Sequence, residues 1–258
     1  MSHDPSVHSL RGLSAIVTGA SRGIGRAIAL GYAQAGADVV INHATDQPVP
    51  QEMVDLIGAH GGRAVAVQAD VGNLAEHAKL VDAALAHFGR IDILVNNAAM
   101  KRKTPVLEVT EAMWDETLRV NLKGAFFLAQ RVAQVMVSAG TPGRIINITS
   151  IHESKPLNNA SLYAISKSGL GMVTQALALE LAPHRITVNS LIPGAYLTHM
   201  NLDTMLDPAR REASGKKIPL GRLGEPEDLV AAAILLASPQ SDYLTGTSIK
   251  VDGGGSLR

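Results

Sequence analysis

Short runs of β-branched and aliphatic residues recur along the chain. Each is followed by a longer stretch whose apolar positions return every three or four residues. The first pattern predicts buried strands and the second amphipathic helices. SAIVT (14–18) precedes a helix over about 24–35, and DVVIN (38–42) precedes one over 51–60. AVAVQ (64–68) leads to a helix over 75–88, and IDILVN (91–96) to a long helix within 112–137. RIINIT (144–149), a helix over 162–181, ITVNSL (186–191), a helix over 226–237 and TSIKV (247–251) complete the series. Strand runs separated by helices need crossover connections. The pattern therefore predicts an α/β fold: a doubly wound, mainly parallel sheet of about seven strands with helices on both faces. Ligands of such sheets bind beyond the carboxyl ends of the strands, so the chemistry is sought there.

No repeat, low-complexity tract or linker divides the chain, which predicts one domain over residues 1–258. Residues 1–12 are expected to be a flexible tail. Residues 196–221 are expected to be an irregular or helical insertion of the kind that covers a substrate.

Composition narrows the function. Lys plus Arg and Asp plus Glu both total 23, so the net charge is zero and no general attraction to nucleic acid or anionic membrane is expected. Cysteine is absent, which excludes disulfides, thiolate catalysis and cysteine-ligated metals. The nine histidines form no H-E-x-x-H array, so no catalytic metal is expected. MSHDPSVHSLRG (1–12) lacks the apolar core of a signal peptide, and LVAAAILLA (229–237) is too short to cross a bilayer. A soluble, cytoplasmic protein is expected.

Several motifs follow the predicted strands. TGASRGIG (18–25) spaces its glycines G-x-x-x-G-x-G. Gly19 permits a tight turn, while Gly23 and Gly25 let backbone and helix start approach a pyrophosphate. Asp70–Val71 and Asn96–Asn97–Ala98–Ala99 follow the third and fourth strands; each is either a cofactor contact or an ordinary capping turn. SLYAISKSG (161–169) sets Lys167 four positions after Tyr163, on one helix face. The pair is either a phenol activated by an ammonium group or two solvated residues. Ser150 lies 13 residues before Tyr163, after a strand of its own.

TGASRGIG, NNAA, Asn121, Ser150 and YAISK, in this order, resemble the short-chain dehydrogenase/reductase family, from Leu13 to the terminal VDGG. One departure is Ala99, where the family usually has glycine. The resemblance implies a Rossmann-type fold, NAD(P) as cofactor and a homotetramer. It implies Tyr163 as acid/base, Lys167 beside it and on the nicotinamide ribose, Ser150 on the substrate oxygen, and Asn121 anchoring a water that passes protons towards Lys167. Cofactor contacts are expected from Gly19, Ser21, Arg22, Gly23, Ile24 and Gly25 in the glycine turn. Asp70, Val71, Asn97 and Ala98 are expected further along, with Tyr163, Lys167, Pro193, Gly194 and Thr198 at the nicotinamide end. The second strand ends in His43–Ala44–Thr45 without a carboxylate until Asp46. Arg22, with His43 or Thr45, suits a 2′-phosphate, so the cofactor leans to NADP, although Arg22 is equally a solvated turn residue.

The substrate is read from the loops. SIHES (150–154), PGAYLTHMN (193–201) and DPARRE (207–212) resemble segments of bacterial glucose- and rhamnose-type sugar 1-dehydrogenases. That likeness makes His152 and Glu153 candidate partners for sugar hydroxyls, or else solvated surface, while His199 and Asn201 are candidates to assist in meeting an anionic group on the substrate. Lys101, Arg102 and Lys103 form a basic cluster after NNAA, either a solvated loop or a site for an anionic group on the sugar. The expected reaction is hydride transfer between an aldose C1 hydroxyl and the cofactor. The alternatives are reduction of a 3-oxoacyl thioester with NADPH, and a catalytically silent dinucleotide-binding sensor or scaffold.

Overall fold

The computed structural model describes residues 9–45, 49–201 and 206–257. Seven parallel strands form one sheet in the order β3-β2-β1-β4-β5-β6-β7. They are β1 (Ser14–Val17), β2 (Asp38–His43), β3 (Ala64–Gln68), β4 (Ile93–Asn96), β5 (Gly143–Ile148), β6 (Ile186–Pro193) and β7 (Ser248–Val251). The helices are α1 (Gly23–Gln34), α2 (Val49–Ala59), α3 (His77–Phe88), α4 (Glu111–Leu118), α5 (Ala125–Ala139), α6 (Ser161–Leu181), α7 (Pro208–Gly215) and α8 (Val230–Ala237).

Successive residues of a strand point to opposite faces, and both faces are covered here. Ala15, Val17, Val39, Ile41, Ile93 and Val95 join one core with Ile28 and Tyr32 of α1, Met53 of α2 and Leu236 of α8. Ile16, Val40, Leu94 and Ile145 join the other, with Leu80 of α3, Leu128 and Val132 of α5 and Leu177 of α6. Parallel register sets Ile16 beside both Val40 and Leu94, and Leu94 beside Ile145, so the second core runs unbroken across the sheet. Strand order reverses between β1 and β4, and the loops after these two strands meet there.

Two expectations need correction. Residues 112–137 are not one α-helix: α4 and α5 are joined by a π-helical segment, Arg119–Gly124. Non-local bonds to Asn121, described below, hold that widened turn, a distortion often found at functional sites. Leu10, expected in a flexible tail, is part of the fold. It is fully buried in the first core and its N–H donates to Ala35 O at 2.9 Å, while residues 1–8 lie outside the described residues.

The insertion over 196–221 begins pinned rather than loose. Tyr196 is buried, its hydroxyl donates to Val251 O at 2.8 Å, and the N–H of Leu197 donates to Gly224 O at 2.8 Å. Residues 202–205 lie outside the described residues. Among the described residues no helix is long and apolar enough to cross a membrane.

Candidate active site

A cleft of ≈ 310 Å³ follows the carboxyl ends of the strands, from His43 and Thr45 past the switch point to Tyr163, Lys167 and Pro193. Its wall includes Gly19, Ser21, Arg22, Gly23, Ile24, Asp70, Val71, Asn97, Ala98, Ala99, Thr198 and His199.

The glycine turn is built by what crosses it. Gly19 has φ +60°, a conformation that favours glycine, and an added Cβ would meet Ala98 Cα at 2.9 Å. At Gly25 a Cβ would collide with Asn97 Nδ2 and Gly19 O. Asn97 donates from that amide to Thr18 O (2.8 Å) and Gly19 O (3.2 Å). Thr18 Oγ1 accepts the N–H groups of Asn97 and Ala98 and donates to Val95 O. Asn97 thus spends its side-chain amide and its backbone N–H on clamping β1 to β4. Sequence reasoning missed Thr18 and also Asn42, whose Oδ1 accepts the Gly19 N–H at 3.1 Å.

The residues present fit a dinucleotide. Helix α1 starts at the cleft, its N-cap Arg22 makes no capping bond and its first turn holds no acidic residue. Its first N–H groups therefore face the cleft as an anion site without a competing carboxylate. At Gly23 (φ +55°) a Cβ would project into the gap against Thr198, at 3.5 Å. Thr149, deeper in the wall, has a buried Oγ1 with no hydrogen-bond partner. At the other end Asp70 receives Arg119 at 2.6 Å and the Gly72 N–H at 2.9 Å. Burial pushes the Asp70 carboxyl up, but these two bonds prevail and hold it below its ordinary value. It stays an anionic acceptor.

Ser150, Tyr163 and Lys167 converge although they come from two elements. Ser150 follows β5, is buried, and its hydroxyl accepts the His152 N–H at 3.2 Å. Tyr163 and Lys167 start α6, on the face that buries Ser166, Leu170 and Thr174. The Tyr163 hydroxyl lies within the influence of Ser150, while Lys167 Nζ donates to Ile148 O at 2.7 Å and lies 5.8 Å from the Tyr163 ring centroid. Burial pushes the Tyr163 phenol above its ordinary value, opposed by Ser150. Lys167 is only 2% exposed, and burial pushes its ammonium down to about 8, opposed by the Glu153 carboxylate.

Asn121 is buried in the π segment, and both N–H groups of its amide are engaged. Its Oδ1 accepts the Met100 N–H, and its Nδ2 donates to Met100 O (2.8 Å) and Ser166 Oγ (3.0 Å). Pro193 ends β6, and Gly194 follows so tightly that a Cβ would meet Asp252 Cβ at 2.7 Å.

The substrate candidates separate. Lys101 Nζ donates to Asn201 Oδ1 at 2.8 Å, and Asn201 Nδ2 donates to Tyr196 O at 3.0 Å, tying the loop after β4 to the start of the insertion. Burial, then the nearby Lys103, pushes the Lys101 ammonium down. His152 lies edge-on to Tyr163, with ring centroids 6.5 Å apart. Its Nδ1 sits 3.0 Å from Lys155 O, an acceptor only, so Nδ1 carries the proton and Nε2 is free to accept. Arg102 requires correction: it pairs with Glu116 of α4 at 3.1 Å, outside the cleft wall. Glu153 requires another: its carboxylate packs against Gly171 of α6 and does not face the cleft.

Known proteins share this architecture. A family model described as enoyl-(acyl carrier protein) reductase matches residues 19–256. The 3beta-hydroxysteroid dehydrogenase 1 of Eggerthella lenta is 42% identical over 96% of this chain and 95% of its own length. The L-rhamnose 1-dehydrogenase (NAD(P)(+)) of Sphingomonas sp. is 40% identical over 95% of this chain and 96% of its own. A solved gluconate 5-dehydrogenase from Burkholderia cenocepacia, in complex with NADP and tartrate, superposes with a TM-score of 0.91 at 35% identity, covering 98% of both chains. With a parallel sheet, a glycine turn at its switch point and the Ser150, Tyr163 and Lys167 cluster beyond its strand ends, the chain belongs to the short-chain dehydrogenase/reductase family and is an NAD(P)-dependent oxidoreductase acting on CH–OH groups.

Proposed function

We propose that the chain moves hydride between a nicotinamide cofactor, with NADP preferred, and a hydroxyl-bearing carbon of a sugar or sugar acid. The observation that carries this is Tyr163, one helical turn from a buried Lys167, both lining the end of the cleft. When bound, the nicotinamide accepts the hydride in oxidation and donates it in reduction. Tyr163 takes the hydroxyl proton as the alcohol is oxidised and returns it when a carbonyl is reduced. Ser150 holds the substrate oxygen. An ordinary tyrosine has a pKa near 10, and bringing it to about 7–8 takes about 3–4 kcal/mol. Burial works against that change. Lys167 and the positive charge of an oxidised nicotinamide have to supply it.

NADP preference is supported by Arg22 at the cleft and by a β2 end that shows no carboxylate among the described residues; Asp46 lies outside them. The polar substrate reading is supported by Lys101, Asn201 and the free Nε2 of His152, and by the two sugar-named relatives. The C1 hydroxyl of an aldose matches the rhamnose relative. An inner hydroxyl of a sugar acid matches the gluconate relative and gives Lys101 an anion to meet. As the family resemblance implies, the working form is a homotetramer.

The test is cofactor absorbance with NAD⁺ and NADP⁺, each offered neutral aldoses, sugar acids and a 3β-hydroxysteroid, beside NADPH with a 3-oxoacyl thioester. Cofactor reduction by a sugar or sugar acid supports the reading. Turnover of the steroid or thioester alone replaces it. Tyr163→Phe should lower turnover by roughly 10²–10⁴-fold while leaving cofactor binding, since the acid/base group alone is lost. A silent sensor would show no turnover to lose.

A further inference from the structure

We infer that Arg119 is a positioning residue for the base of the cofactor. From the π segment it holds the Asp70 carboxylate at the end of the cleft, where that carboxylate accepts the amino group of adenine. The inference rests on a dinucleotide lying in the cleft with its nicotinamide at Tyr163, and not on the choice of substrate.

The sheet sets the direction. Thr149 and Pro193, beyond β5 and β6, line the cleft together with Tyr163 and Lys167. Asp70 and Val71 line it beyond β3, at the opposite edge of the sheet. A dinucleotide with its nicotinamide at Tyr163 therefore brings its base towards Asp70.

Most of the turn after β3 is fixed without Arg119. The Asp70 N–H donates to Glu76 Oε2 at 3.0 Å, the Gly72 N–H to Asp70 Oδ1 at 2.9 Å and the Asn73 N–H to Asp70 O at 2.8 Å. His77, buried at the start of α3, sets its Nε2 2.7 Å from Val71 O; a carbonyl only accepts, so Nε2 carries the proton. The π segment closes on the same turn, since a Cβ at Gly124 would collide with Val71 O. That segment also puts Val120 in the cleft wall.

What Arg119 adds is the direction of the carboxylate. Its Nη1 donates to Asp70 Oδ2 at 2.6 Å, and its guanidinium lies over Gly72, where an added Cβ would collide with it. The two side chains are 41% and 38% exposed, and an ion pair that open contributes little to stability. Its consequence is geometric. With Oδ1 on the Gly72 N–H and Oδ2 on Arg119, the carboxylate is held in one plane. An ionised carboxylate accepts at about four lone-pair positions, so those that Gly72 and Arg119 leave are open on a partly exposed group that lines the cleft. It offers acceptors and no donor. An amino group fits there and a carbonyl oxygen is repelled. Adenine carries the first at its six-position, and hypoxanthine the second.

The test measures dissociation constants by calorimetry, without substrate, on the full chain. The ligands are whichever of NADP⁺ and NAD⁺ binds more tightly, and its hypoxanthine counterpart. The native chain should favour the adenine form by roughly tenfold or more, as one charge-assisted bond is set against two facing acceptors. Arg119→Met should cut that ratio to about threefold or less, and Arg119→Lys should restore part of it. Asp70→Asn should lose the ratio too, since its amide can turn a donor to the carbonyl. An effect on folding alone would weaken both forms equally, and an unchanged ratio in Arg119→Met overturns the inference. So does a native chain that binds both forms alike. A ratio lost in Asp70→Asn but kept in Arg119→Met would leave Asp70 on the base and remove Arg119 from its support. No arm needs turnover, so failure of the sugar reading would appear in the substrate panel and leave this test intact.

Discussion

At the scale of single residues, neighbours in sequence take different work because irregular backbone turns them apart. Lys101 faces Asn201 while Arg102 pairs with Glu116, and His152 faces Tyr163 while Glu153 turns to Gly171. If Lys101 meets an anionic substrate group, its charge-assisted bonds are worth about 1.5–3 kcal/mol. Lys101→Ala should then raise KM for a sugar acid by about 10–100-fold and leave a neutral sugar almost unchanged; equal loss on both would refute the role. Lys167 gives a prediction about stability. Its folded pKa, about 8, lies below the ordinary 10.5, so between these values the unfolded chain holds the proton and the folded chain does not. Stability from this group therefore rises with pH across that window, and below about pH 8 the full penalty of burying the ammonium is present. Without cofactor, Lys167→Met should melt higher than the native chain at pH 7. The difference should shrink towards pH 10. A higher melting temperature for the native chain at pH 7 would show that the Ile148 bond outweighs burial.

At the scale of elements, the glycine turn and the helix before β5 show how contacts across the sheet finish what local pattern begins. The spacing of Gly19, Gly23 and Gly25 was legible, but the reason for Gly25 is Asn97, which arrives from β4. Gly25→Ala would press a methyl group into the Gly19 carbonyl and the Asn97 amide. Overpacking of this kind destabilises by roughly 1–3 kcal/mol, and thermal unfolding should show it together with weakened cofactor binding. A variant with native melting temperature and native cofactor affinity would mean that the turn relaxes freely. The π segment was not legible at all. Apolar periodicity over 112–137 is met by either helix type, and the choice falls to Asn121, clamped by Met100 and Ser166 from outside its own helix.

At the scale of the molecule, long α5 and α6 leave apolar side chains outside both cores: Phe127, Ile165, Met172 and Leu179 are exposed in the single chain. A homotetramer would cover such residues. Light scattering should give four times the 27.1 kDa chain mass, and Met172→Asp with Leu179→Asp should lower it. A native chain that scatters as a monomer would end that expectation. One sheet carries the whole site, because its switch point between β1 and β4 opens the cleft and β5 and β6 bring Thr149 and Pro193 to its far end.

The sequence by itself determined the sheet, its two buried faces, the glycine turn and the Ser150, Tyr163 and Lys167 cluster. These follow from local periodicity and from motifs at strand ends, where a parallel sheet gathers its loops whatever lies between them. Only the tertiary structure decided which way the loop side chains turn, where α4 widens into a π turn, how Asn97 and Asn121 spend their amides, and that Leu10 belongs to the core. Each depends on a partner far away in the chain, and no pattern along the sequence records the distance between two residues brought together by folding.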